Sequence, residues 1–329
     1  MNRQEELIKI QNLKKYFNAG NAFGGKKGKV YAVDNVNLDI YRGETLGLVG
    51  ESGCGKSTLG RTILRLNEAT EGEIDFGGKD INRLKREELR QMRRRMQMIF
   101  QDPYSSLNPR MTIMEIIRSP LDAFKIGTTE EREEKVLQLM ERVGLGKQHL
   151  FRYPHEFSGG QRQRVVIAKA LILNPEFVVA DEPVSALDVS VRSQILNLMK
   201  ELQSEFNFTC LFISHDLSVV KHISNRVAVM YLGQIVEITD KRELYENPCH
   251  PYTKALLSAI PIPDARVKVK RQILKGDVPS PYNPPSGCRF HTRCPMATDR
   301  CKEEAPTLCD VGGNHMVACH FCEATGQAK

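Results

Sequence analysis

The chain has no apolar run approaching the ~20 residues that a membrane-spanning helix needs. Its opening, Met1-Asn2-Arg3-Gln4-Glu5-Glu6, lacks the apolar stretch of a secretory signal. Both absences predict a cytosolic protein, so any membrane role must come through a partner. A strong charge bias is missing too: 47 basic against 40 acidic side chains leave a net charge of +7. That balance suits phosphate ligands or an anionic surface, but there is no basic stripe with interleaved aromatics to mark a nucleic-acid binder. The triplet Arg93-Arg94-Arg95 reads as a solvated helix face. There is no internal repeat. Nine cysteines in a reducing compartment do not make a disulfide framework, yet six of them crowd the tail: Cys288, Cys294, Cys301, Cys309, Cys319 and Cys322. With 329 residues, 41% hydrophobic and 26% charged, the chain can build one large or two modest domains around a sizeable core.

What is present begins with Gly50-Glu51-Ser52-Gly53-Cys54-Gly55-Lys56-Ser57-Thr58, which fills the pattern G-x-x-x-x-G-K-[ST] without substitution. The run Glu44 to Val49 before it reads as a short buried strand, and Leu59, Ile63 and Leu66 after it recur at helical spacing. A strand, a glycine loop and a helix in that order aim backbone N–H groups and a helix N-terminus at a polyphosphate. Gly50, Gly53 and Gly55 let the backbone come close, Lys56 reaches the β- and γ-phosphates, and Ser57 can hold Mg²⁺. A plain Gly-rich turn between strand and helix does not require this wording. The chain is expected to bind a nucleoside triphosphate, and Cys54 reads as a small residue that fits the loop.

Residues 5–80 alternate short aliphatic runs with turns such as Glu71-Gly72 and Gly77-Gly78, which predicts an antiparallel β-layer. From about residue 82 the composition turns helical, and Glu130 to Val143 is amphipathic, with Val136, Leu139, Met140 and Val143 on one face. Residues 165–240 alternate helix and strand in the manner of a mostly parallel sheet: helix from Val165 to Leu173, strand Phe177 to Ala180, helix Val191 to Gln203, strand Cys210 to Ser214. Beyond residue 240 ten prolines mark a loop-rich tail with too little apolar periodicity for a conventional core, so a staple is expected there.

Three further clusters carry chemistry. Phe177-Val178-Val179-Ala180-Asp181-Glu182 is an apolar strand ending in two carboxylates, where Asp181 can hold Mg²⁺ and Glu182 can orient or deprotonate an attacking water. A polar turn before Pro183 is the plainer reading. His215 ends another apolar strand and can bond a γ-phosphate, although a histidine there is usually structural. Ser158-Gly159-Gly160-Gln161 opens a helix and forms a second anion-binding start, suited to a nucleotide held by another subunit.

In this order, Gly50–Thr58, Gln101, Ser158–Gln161, Asp181-Glu182, Ser185-Ala186-Leu187-Asp188 and His215 resemble the ATP-binding subunit of an ABC transporter over residues 5–245. The segments Phe100 to Pro109, Ser185 to Ser190 and Asn247 to Tyr252 resemble the dipeptide/oligopeptide importer subclass, and within it the second of two paired ATPase subunits. The resemblance implies an α/β fold: a RecA-like core with an antiparallel β-subdomain and a helical subdomain (about 102–164) within residues 1–245, then an extension over 246–329. It implies that ATP lies between the phosphate loop of one subunit and the signature Ser158–Gln161 of another. It also implies that Gln101 contacts Mg²⁺ and the attacking water, that Glu182 is the catalytic base, and that Asp188 contacts the opposite subunit. The family stacks an aromatic on adenine upstream of the loop; Tyr16 is preferred for this over Phe17 and Tyr31. The implied partners are a homologous ATPase subunit, two transmembrane permease subunits and an extracytoplasmic substrate-binding protein. The chain would then work at the cytoplasmic face of the cell membrane on peptides, or on nickel chelates or other small nutrients. A soluble ABC-type ATPase acting on nucleic acid or ribosomes is the alternative, but such proteins carry tandem cassettes or a long coiled-coil insertion, and this chain has neither.

The tail poses its own question. Cys288-x5-Cys294-x6-Cys301-x17-Cys319 can supply four thiolates to a [4Fe–4S] cluster or to zinc. The wide spacing of the first three suits a cubane, and Cys319-His320-Phe321-Cys322 offers the short pair usual for zinc. Unligated thiols remain a third reading. Gly287 to Pro295 resembles the extension of the importer subclass, which in some members carries such a cluster.

Overall fold

A computed structural model describes residues 5–19, 28–260, 274 and 276–322. Its strands in chain order are β1 (Glu6–Ala19), β2 (Gly28–Tyr41), β3 (Thr45–Val49), β4 (Glu71–Phe76), β5 (Met96–Ile99), β6 (Phe177–Asp181), β7 (Thr209–Ser214), β8 (Arg226–Tyr231), β9 (Gln234–Asp240), β10 (Cys309–Asp310) and β11 (Met316–Val317). The α-helices are α1 (Lys56–Ile63), α2 (Arg86–Arg95), α3 (Pro103–Ser106), α4 (Ile113–Phe124), α5 (Thr129–Arg142), α6 (Gly159–Leu171), α7 (Val189–Phe206), α8 (Leu217–Ile223), α9 (Lys241–Glu246), α10 (Pro251–Ser258) and α11 (Asp299–Glu303). They fall into a helix-rich unit (Met1–Glu5, Tyr41–Thr45, Leu84–Ile213) and a phosphate-loop unit (Glu6–Ile40, Leu46–Arg83, Ser214–Lys329).

In the phosphate-loop unit, β2, β1 and β4 form a three-stranded sheet in that order. β1 and β4 pair antiparallel, Ile8 opposite Phe76 and Ile10 opposite Ile74, and these four side chains are buried while Lys9 and Gln11, alternating with the two isoleucines, face water. β3 runs parallel to β8, with Val49 opposite Val229, and all five of its residues are buried. A strand covered on both faces has to read as a continuous apolar run. β9 returns antiparallel to β8, and the short β11 and β10 of the tail extend that ladder, with Met316 opposite Ile238. Helix α1 stops at Ile63 because Arg65 adopts a left-handed backbone, φ +49°. Leu66 therefore lies beyond the helix, 46% exposed, not on its buried face as its spacing suggested.

The helix-rich unit is built on β5, β6 and β7, parallel and in that order, with Ala180 of β6 between Ile99 and Phe212. β5 interrupts the stretch that reads as helical from residue 82; four residues are too few to display a strand's period of two. α4 and α5 each open on a capping box, Thr112 with Glu115 and Thr128 with Glu131, which satisfies orphan N–H groups of the first turn. α5 buries Val136, Leu139 and Met140 on the face that its periodicity marks, and Gly144 ends it at φ +72°. Among the described residues, no helix is long and apolar enough to cross a membrane.

The tail lies on the phosphate-loop unit. Phe290 and Tyr252, both almost fully buried, pack against Tyr231 of β8 with ring centroids 5.2 and 4.7 Å away. Buried Glu237 of β9 accepts the amides of Cys249 (2.7 Å) and His250 (3.0 Å), and His315 Nε2 lies 2.7 Å from the same carboxylate. Burial pushes Glu237 up, but these bonds outweigh it and hold the carboxyl below its ordinary range.

Candidate functional site

The phosphate loop joins β3 to α1. A Cβ on Gly50 would lie 2.2 Å from the Met230 carbonyl oxygen, and one on Gly55, at φ +108°, would lie 2.0 Å from that of Ala32. Only glycine fits at either place. Lys56 is buried, and its Nζ donates to the carbonyl oxygens of Gly50 (2.7 Å) and Glu51 (2.9 Å), so the ammonium is held inside the loop's curve. Ser52 and Gly53 stand exposed at the loop's crest, while Ser57 and Thr58 are half-buried in the first turn of α1. The Cys54 thiol is buried, which raises its pKa despite the neighbouring Lys56, so it sits in the loop as an inert small residue.

On the β-layer, the Tyr16 hydroxyl donates to Asp34 and its ring meets Tyr31 edge-on, centroids 4.7 Å apart. Phe17 is 39% exposed with the Lys15 ammonium 4.8 Å over its ring. His215 is exposed one residue past β7.

In the helix-rich unit, Asp181 ends β6 with no exposed surface, and Glu182 follows in a left-handed backbone, φ +46°. A bulky non-glycine residue in that region costs free energy, and such strain concentrates at functional sites. The Glu182 amide donates to the Ile213 carbonyl at 3.0 Å, which anchors this residue to the end of β7. Gln101 Nε2 donates to Glu182 Oε2 at 3.0 Å. No local pattern joins these two across 81 residues; the family resemblance alone put both at the attacking water. Ser158 caps α6: its hydroxyl accepts from the Gln161 amide (3.4 Å) while Gln161 Oε1 accepts from the Ser158 amide (3.1 Å). A Cβ on Gly160 would sit 2.4 Å from Val191 of α7, so the second signature glycine allows these two helices to meet closely. Asp188 caps α7, accepting from the Val191 amide at 3.0 Å, and that bond holds its carboxyl below the usual range. Val189 beside it is 76% exposed.

The tail brings groups that motif reading did not find. Arg293 Nη1 and Nη2 donate to the two carboxylate oxygens of Glu51, at 2.7 and 3.1 Å. The Tyr252 hydroxyl accepts from the Glu51 amide at 2.9 Å. Arg289 donates to Asp34 and to the Leu232 carbonyl. Nothing in the spacing Cys288-Arg289-Phe290-x-x-Arg293-Cys294 names these partners. The four thiols of Cys288, Cys294, Cys301 and Cys319 share one locality, since Cys288 feels the charge of the other three and Cys294 that of Cys301 and Cys319. Burial pushes the Cys288 thiol up to about 11, and the bond from Cys322 pulls Cys319 down to about 6. Among the described residues, the set of three metal-binding atoms mutually within 4.8 Å is Glu237, Cys249 and His315, which the carboxylate's filled hydrogen bonds explain as a brace.

Comparisons with known proteins agree with these motifs. The family model for the ABC transporter matches residues 33–185, and that for the oligopeptide/dipeptide transporter C-terminal region matches residues 236–301. The oligopeptide transport ATP-binding protein AppF of Bacillus subtilis is 57% identical over 322 residues, 97% of this chain and 98% of that one. Among solved structures, the ATP-binding cassette MJ0796, a post-hydrolysis dimer bound to ADP and Pi, is similar with a TM-score of 0.64 and 33% identity, over 71% of this chain and 99% of that one. The protein cbiO1 of Clostridium perfringens, part of the ABC transporter complex cbiONQ, gives a TM-score of 0.64 and 26% identity, over 74% of this chain and 92% of that one. On the phosphate loop, the signature, the shared fold and the near full-length likeness, this chain belongs to the ATP-binding proteins of ABC transporters, in the oligopeptide/dipeptide group.

Proposed function

We propose that this chain hydrolyses ATP to energise import of di- and oligopeptides by an ABC transporter at the cytoplasmic face of the cell membrane. Its partners are a homologous ATPase subunit, two transmembrane permease subunits and an extracytoplasmic substrate-binding protein. Each ATP sits between the phosphate loop Gly50–Thr58 of one subunit and the signature Ser158–Gln161 of the other. Lys56 and the loop amides take the phosphates; Ser57, Asp181 and Gln101 hold Mg²⁺, which neutralises phosphate charge when bound. Glu182 is the base that receives the attacking water's proton, His215 faces the γ-phosphate, Asp188 contacts the opposite subunit, and Tyr16 lies against adenine. The observation that carries this reading is the 3.0 Å bond from Gln101 to Glu182. It ties the candidate base to the segment that leads into α3 and α4, and the same unit exposes the rings of Tyr104 and Phe151 (66% and 77%). Glu182→Gln keeps the shape and removes the base. In the reconstituted assembly it should retain ATP binding and lower turnover by at least ~100-fold; unchanged phosphate release removes Glu182 from this role.

The same proposal extends to the tail: Cys288, Cys294, Cys301 and Cys319 ligate a [4Fe–4S] cluster of structural rather than electron-transfer use. Tetrahedral zinc with ~2.3 Å bonds needs sulfurs about 3.8 Å apart. The wide spacing Cys288-x5-Cys294-x6-Cys301 suits a cubane, which binds each thiolate to a different iron. Iron and sulfide analysis of anaerobically purified protein should return about four of each per chain; stoichiometric zinc without iron assigns the site to zinc instead.

A further inference from the structure

Glu51 is an awkward residue to find in a phosphate loop. Its carboxylate places a negative charge one residue past Gly50, in a loop whose amides and Lys56 are arranged for a polyanion, and like charges at such range repel. The tail answers that charge. Arg293 approaches the carboxylate with both terminal nitrogens, at 2.7 and 3.1 Å, and its side chain is only 7% exposed, against 27% for Glu51. A two-pronged, largely buried pair is the strong kind, because geometry and low solvent access both favour it. Tyr252 holds the same residue from behind, its hydroxyl accepting the Glu51 amide at 2.9 Å. Lys56 holds it from within, donating to the Glu51 carbonyl at 2.9 Å. Amide, carbonyl and carboxylate of one loop residue are thus each anchored, two of them by residues more than 200 positions away.

We propose that Arg293 and Tyr252 are positioning residues for ATP: they fix the phosphate loop through Glu51, and Arg293 cancels the carboxylate's charge where the triphosphate must bind. Neither touches the nucleotide. The proposal rests on the reading of Gly50–Thr58 as the ATP-binding loop and is independent of what Cys294, the next residue, ligates.

The test measures ATP affinity of the full chain by equilibrium titration, with all variants compared at equal iron content. Arg293→Gln bares the carboxylate and should weaken ATP by ~10-fold, equivalent to about 1.4 kcal/mol. The loss should shrink as salt rises, because screening weakens the repulsion. The double variant Glu51→Gln/Arg293→Gln should recover to within ~3-fold of the parent, which loss of packing alone would not do. Wild-type affinity in Arg293→Gln, or a double variant as weak as the single, overturns the proposal. If Arg293→Gln does not fold, the isosteric Tyr252→Phe carries the test: it should weaken ATP several-fold, and unchanged binding overturns the proposal. Lys56→Ala separates the two failures, since wild-type binding in that variant means the loop reading itself is wrong.

Discussion

The two units handle their functional groups in opposite ways. In the phosphate-loop unit the charged groups at and near the loop are already paired: buried Lys56 with loop carbonyls, Glu51 with Arg293, and Asp34 with Arg289, whose side chain is 8% exposed. In the helix-rich unit Gln101, Ser158, Asp188 and Val189 stand at the surface, Ser158 and Asp188 as local helix caps and Gln101 bonded to Glu182. The first arrangement is preorganised, with the entropy of ordering the site already met by folding; the second leaves surface for a partner to cover. The proposed subunit, which would bind nucleotide with one set of residues and complete its partner's site with another, needs both.

Three measurements sharpen or break that contrast. The largest effect is expected at Phe290, which anchors the tail between Tyr231 and Tyr252. Phe290→Ala should cost about 4 kcal/mol of stability by denaturant unfolding, as large-to-small core changes do. A cost below about 1 kcal/mol would mean that the tail is an appendage and the unit's preorganisation has another source.

Next comes His250, fully buried, whose Nδ1 accepts the Tyr252 amide at 3.1 Å and must be unprotonated to do so. Burial lowers its pKa to about 4 from 6.5. The unfolded chain therefore takes up a proton that the folded chain refuses between those values. The associated stability, at most about 3 kcal/mol, is fully present above pH 6.5 and lost as pH falls towards 4. His250→Asn keeps an acceptor without the titration, so the variant's unfolding free energy should fall less steeply over pH 6.5 to 4. Equal slopes would refute the assignment.

The smallest effect on stability is expected at Val189, which is 76% exposed. Val189→Asp should change the single chain's unfolding free energy by no more than about 0.5 kcal/mol. It should nonetheless abolish ATP-dependent pairing of the hydrolysis-deficient Glu182→Gln chain, read by light scattering. Pairing that survives would show that the exposed surface of the helix-rich unit is not kept for a second subunit.

Local chemistry made much of the fold legible. β3, β6 and β7 are apolar runs because both faces are covered, and α5 advertises its buried stripe at a period of 3.6 residues. The signature's capping box is likewise a local event, with Ser158 and Gln161 three residues apart. The sequence misled at Leu66, where a single left-handed residue ended the helix, and it was silent at β5, too short to show a pattern. No periodic trace marks Gln101 with Glu182, which only the family resemblance put at one attacking water, or the arginines of the tail with Glu51 and Asp34, because these pairs are long-range.

The sequence by itself therefore determined the nucleotide chemistry and the class of fold, since a phosphate loop works through backbone N–H groups and glycines whose spacing is the whole requirement. Only the tertiary structure decided that the proline-rich tail buries Phe290 and Tyr252 against β8 and reaches the loop through Arg293 and Tyr252. Side chains that meet across 200 residues are brought together by packing of the whole unit, and no local interaction encodes that.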